Sequence, residues 1–170
     1  GSPAAGCAAV LDLLSRLCEE ADGDEAVRVL GERAPGWLLQ LPGRIDTATA
    51  EALRVRASRP SWEAQLLELS EAIEVLAAGG PLALVLDDLQ WSDASTIDAL
   101  TFLCARTVAA RLLVVGAFRS DALTEAHPLR GVIQRLQVGG LGSRFELDRF
   151  SPGETASYLE RRLAPHALGE

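Results

Sequence analysis

The apolar residues of this chain follow one spacing in its first half and a second spacing afterwards. In AGCAAVLDLLSRLCEEA, residues 5–21, Val10, Leu14, Leu17 and Cys18 fall on one helical face. Asp24 is placed to cap a second short helix that runs to about Arg33. APGWLLQLPGR is broken by Pro35, Gly36, Pro42 and Gly43, and predicts a loop that buries Trp37 and Leu38. TATAEALRVRAS predicts another short helix. Ser61 opens the plainest helix: Trp62, Leu66, Leu69, Ile73 and Leu76 form an apolar stripe, and Glu63, Glu68, Glu71 and Glu74 take the wet side. Gly79-Gly80-Pro81 stops it.

From Leu82 the pattern changes. LALVL has no alternation, which predicts a strand buried on both faces. SDASTIDALTFLCART returns to helical spacing with Ile97, Leu100, Leu103 and Cys104 inward, and Ser92 or Asp93 can accept the free N–H groups at its start. RLLVVGAF predicts a second apolar strand that ends in Arg119. HPLRGVIQRLQ predicts a helix with Pro128 in its first turn, and RFEL a short third strand. SPGETASYLERRL opens with a capping box, Ser151 to Glu154. Helix and strand alternate from residue 61 onward. That order predicts an α/β fold: a partial parallel sheet of about three strands flanked by helices, with a helical region over residues 1–60. No repeat or linker divides the chain, so it reads as a single domain over 1–170, with the sheet in 61–170.

Composition narrows the function. A length of 170 residues is enough for one buried core. A net charge of -8 repels phosphate backbones, so no direct nucleic-acid contact is expected. No apolar run approaches the ~20 residues of a membrane helix. The three cysteines are odd in number and none forms a CxxC; Cys18 and Cys104 read as small core residues, and a reduced, cytoplasmic setting is expected. All 16 basic residues are arginine. The absence of lysine excludes Schiff-base chemistry and the phosphate-binding lysine of a P-loop from these residues. Methionine is absent too, which reads as a processed or partial chain.

LALVLDDLQWSD carries the candidate chemistry, because it ends a strand in two adjacent acids. In open parallel sheets, functional groups gather beyond the carboxyl ends of the strands. Asp87, Asp88 and Arg119 all fall there, and neighbouring strands would place their ends about 5 Å apart. Two acids beside one arginine suit a phosphate–magnesium site. They equally suit plain structure, with the acids capping a helix or solvating a loop and the arginine as their surface partner. Spacing leaves both readings open.

LALVLDDLQWSDASTIDALTFL resembles the Walker B segment of the STAND branch of AAA+ type P-loop ATPases. The likeness is to the modules of large LuxR-type transcriptional regulators and of multidomain adenylate cyclases and kinases. RLLVVGAFRSD is similar to the sensor strand of that family, and HPLRGVIQRL and FELDRFSPGETASYLERRL to the segments after it. The resemblance implies that Asp87 coordinates Mg2+, that Asp88 is the catalytic, water-orienting acid, and that Arg119 is the sensor arginine. ATP would be bound by Asp87, Asp88 and Arg119 in an intact parent protein. Trp91 and Asp93 match the pattern and read as a packed indole and a helix cap; His127 and His166 read as surface or capping residues. The family's GxxxxGK[ST] loop is missing from the chain. The expectation is therefore a slice of a regulatory ATPase module: inactive alone, docked on other domains of its polypeptide, and open to self-association through strand edges. A non-catalytic interaction module that keeps half of the fold is the alternative.

Overall fold

A computed structural model describes residues 6–20, 22–57, 61–106 and 109–163. The first half is helical: α1 (Ala8–Leu17), α2 (Gly23–Arg33), the single turn α3 (Pro35–Leu38), α4 (Thr47–Arg56) and α5 (Trp62–Gly79). Then come β1 (Leu82–Leu86), α6 (Ala94–Arg106), β2 (Leu112–Gly116), α7 (Pro128–Val138) and α8 (Pro152–Leu163). Helix starts follow local chemistry. Asp46 accepts the Thr49 N–H, Ser61 the Ala64 N–H, and Ser151 and Glu154 cap α8 reciprocally. Asp24 does not cap α2. It lies inside the first turn, where its charge suits the helix dipole, and the cap position falls to Asp22.

The helical half packs around one core that includes Leu14, Leu30, Trp37, Leu69 and Ile73, all nearly or fully inaccessible. Pro35 at the first position of α3 turns the expected loop into one helical turn, and Trp37 and Leu38 are buried as expected. The Trp37 indole N–H donates to the Gln65 carbonyl at 2.8 Å. Cys7 is the fully buried cysteine, and desolvation helped by Asp93 and Asp98 pushes its thiol up to about 12. Cys18 and Cys104 are half-buried instead, at core margins.

Glu68 departs from the wet side of α5. Its Oε2 is buried with no hydrogen-bond partner among the described residues. Desolvation, with the neighbouring Glu71 charge, raises its pKa. A carboxyl whose folded pKa is raised contributes stability that is complete below its unfolded pKa and lost as pH rises through the folded one. Glu68→Gln is therefore expected to flatten the decline in stability above pH 4–5 and to leave the variant more stable than wild type at neutral pH. Denaturant titrations at pH 4 and pH 7 check this; equal differences between variant and wild type at both pH values would contradict it.

β1 and β2 pair in parallel, with Leu82 opposite Leu112 and Leu86 opposite Gly116. α6 is the crossover between them, and α6 and α7 pack on each other. A second core joins Leu84 and Leu86 to Ile97, Leu100, Leu129 and Val132. The other face of the sheet is open, against the expectation of a β1 buried on both faces: Val85 of β1 is 69% exposed and Leu113 of β2 60%. The described residues form a two-stranded sheet, not about three strands. RFEL, residues 144–147, has no ladder partner, and Phe145 and Leu147 are exposed. Gly140, in a left-handed conformation, turns the chain away after α7. Arg144 then anchors the segment by its contacts with Phe118 and Ser120, which do not require strand pairing. α8 buries none of its residues, though Phe150 stacks on Tyr158. No helix among the described residues is long and apolar enough to cross a membrane.

Candidate functional site

The site begins where the two strands end. The Leu86 carbonyl accepts the Ala117 N–H at 2.8 Å, and the Ala117 carbonyl accepts the Leu89 N–H at 3.0 Å. The chain leaving β1 therefore stays bonded to β2, and Asp87 and Asp88 must turn sharply between those two bonds. Asp88 takes up the turn in the left-handed region, with φ 54° and ψ 35°, as the one non-glycine residue there among the described residues. Aspartate is one of the few side chains that tolerate this conformation, because its short carboxylate bonds locally. Leu89 is buried over Gly116, where an added Cβ would lie 2.6 Å from Leu89 Cδ1. Gly116 thus lets the turn lie flat on β2.

Asp87 Oδ1 accepts the N–H of Asp88 at 2.8 Å, and Asp88 Oδ1 accepts from Gln90 Nε2 at 2.7 Å. The second oxygen of each carboxylate accepts no hydrogen bond from the described residues, and both acids are exposed. Gln90 is only 5% exposed. Its Oε1 accepts the Arg119 N–H at 2.9 Å, and its main-chain carbonyl meets His127 Nε2 at 3.1 Å. His127 Nδ1 in turn accepts the Leu129 N–H at the head of α7. A nitrogen that faces an N–H carries no proton, so the ring proton sits on Nε2 and donates to Gln90.

Asp87, Asp88 and Arg119 therefore share one rim of the sheet. The hydrogen-bond partner of the Arg119 guanidinium is neither of these acids, however. The guanidinium bonds Asp121 at 3.0 and 3.3 Å. That partner raises the pKa of Arg119, with a smaller contribution from Asp88, and Arg119 holds the Asp121 carboxyl below its usual range. Both side chains are well exposed and screened by solvent, so the pair adds little to stability. Trp91 is not a packed indole: it is 78% exposed at the end of the turn, because Leu89 and Gln90 take the inward positions. Asp93 does cap α6, accepting the Thr96 N–H at 2.8 Å. His127 is the cap of α7, and His166 lies outside the described residues. Gln90 and Asp121 are the participants that sequence reasoning missed. Neither belongs to a periodic pattern, and only the neighbouring acid pair marked the stretch.

No three His, Cys, Asp or Glu side chains among the described residues form a group that could hold a metal. Two carboxylates with one uncommitted oxygen each fit Mg2+, which binds through one or two carboxylates and keeps waters and phosphate oxygens as its other ligands. Two shallow hollows, lined by residues such as Ala78, Ala110, Arg111 and Leu113, lie at the amino ends of the strands, away from the acids.

The acid pair stands beyond the carboxyl ends of parallel strands, where open α/β sheets bind their ligands. A family model described as the AAA ATPase domain matches residues 3–115, and the chain belongs to that family. Intact members use a nucleotide with Mg2+. The matched span includes Asp87, Asp88 and Gln90; Arg119, Asp121 and His127 lie beyond it. No curated protein and no solved structure matches the chain.

Proposed function

We propose that this chain supplies the acid-bearing wall of an ATP- and Mg2+-dependent regulatory module in a multidomain signal-transduction protein, of the STAND type found in LuxR-type transcriptional regulators. The observation that carries this reading is the placement of Asp87 and Asp88 at the carboxyl rim of β1, beside β2, which ends three residues before Arg119. Asp87 would hold the hydrated metal, and Asp88 would orient the attacking water. Arg119 would exchange Asp121 for the terminal phosphate, a cheap exchange for an exposed pair. Bound Mg2+ supplies charge neutralisation at the phosphates.

Phosphate affinity in this fold comes mainly from loop N–H groups, a helix N-terminus and a lysine. The chain has no lysine, so that cradle has to be supplied by other residues than these. By itself the chain is expected to bind Mg-ATP too weakly for calorimetry to resolve and to hydrolyse none; micromolar affinity would contradict this. In the intact polypeptide, Asp87→Ala is expected to abolish hydrolysis and Arg119→Ala to weaken the response to nucleotide. Turnover unchanged in both variants would overturn the assignment. The open apolar face at Val85, Leu113 and Val115 favours the second reading, a non-catalytic module that binds protein, either other domains of its polypeptide or a second copy through its strand edges. An intact polypeptide without ATPase activity would favour that reading.

A further inference from the structure

Gln90 is buried with its amide nitrogen, amide oxygen and main-chain carbonyl all engaged, and their partners belong to three different elements. Its Nε2 holds Asp88 after β1, its Oε1 holds the main chain of Arg119 after β2, and its carbonyl receives His127 at the head of α7. We propose that Gln90 is a positioning residue that couples the acid Asp88 to α7. This rests on the reading of Asp88 as the water-orienting acid.

The coupling has a physical basis. Asp88 sits in a left-handed conformation that L residues adopt at a cost, so its carboxylate direction depends on what fixes the turn. Main-chain bonds to Ala117 hold the turn, the Gln90 amide is what bonds the Asp88 carboxylate itself, and that amide has little freedom of its own. It is buried, and its two ends are held 2.7 Å from Asp88 and 2.9 Å from Arg119. His127 is rigid at both ring nitrogens, one on Gln90 and one on the first turn of α7. A shift or rotation of α7 therefore moves the Gln90 carbonyl, and with it the amide that orients Asp88. Whatever docks on α7 in the larger protein could open or close the acid's alignment without touching nucleotide.

Amide hydrogen exchange on the 170-residue chain tests the coupling with no nucleotide present. His127→Asn keeps a short acceptor for the Leu129 N–H but lacks the ring atom that reaches Gln90. It is expected to speed exchange at the Arg119 amide about fivefold or more, through a residue that does not itself bond Arg119. Unchanged exchange at Arg119 in His127→Asn, with Gln90→Leu speeding it, overturns the coupling whatever Asp88 does. In the intact polypeptide, Gln90→Glu keeps the acceptor for Arg119 but sets a carboxylate against Asp88. It is expected to lower kcat while Mg-ATP affinity stays within about twofold, a split that a merely structural role would not produce. Wild-type kcat in Gln90→Glu, with Asp88→Asn inactive, also overturns the coupling. Wild-type kcat in Asp88→Asn instead removes the underlying reading of the acid.

Discussion

Trp37→Ala is expected to destabilise the helical half by about 3–5 kcal/mol, a large fraction of the stability of a domain this size. The residue is completely inaccessible, and its ring lies against Trp62 at a centroid separation of 6.1 Å. Truncation removes the ring contact with Trp62 of α5, and leaves a cavity in the core that Leu14, Leu30 and Leu38 share. The indole also donates its N–H across to α5, so Trp37→Phe separates the two contributions. It keeps much of the ring and loses the hydrogen bond, and about 1–3 kcal/mol is expected. Denaturant midpoints for the two variants check the pair; a loss below about 1 kcal/mol for Trp37→Ala would mean that the helices do not pack on this side chain.

Gly23→Ala is expected to cost up to about 3 kcal/mol, although alanine is the better helix former by roughly 1 kcal/mol. Gly23 is buried at the first position of α2. A Cβ there would overlap the Cys18 carbonyl oxygen, with the carbonyl carbon at 2.8 Å. The obstacle is backbone, which cannot rotate away as a side-chain end does, so the whole α1–α2 connection has to shift. The two effects have opposite sign, which makes the outcome decisive. A rise in melting temperature for Gly23→Ala would show that the connection is looser than this packing requires.

The helices were legible because their signals are local. The stripe of α5 and the caps at Ser61 and Ser151 depend on residues three or four apart, and these formed as the spacing predicted. Asp93 and His127 as caps belong to the same class of signal. Glu68 and Trp91 were misread for a common reason. Which side of a helix or turn is covered depends on the neighbouring element, and the packing of α3 and the inward turn of Leu89 and Gln90 are not written in their own spacing. RFEL has the composition of a strand, but a strand needs a partner edge in register, and its chain direction after Gly140 supplies none.

The sequence by itself determined the longer helices, the strands β1 and β2 with the parallel pairing implied by a crossover helix, and the acid pair at the end of β1, because each follows from periodicity and short-range chemistry. Tertiary structure decided what those acids meet. Gln90, which bonds Asp88, is itself held by Arg119 and His127, 29 and 37 positions away. Such contacts depend on where folded elements come to rest, and no local pattern along the chain records them.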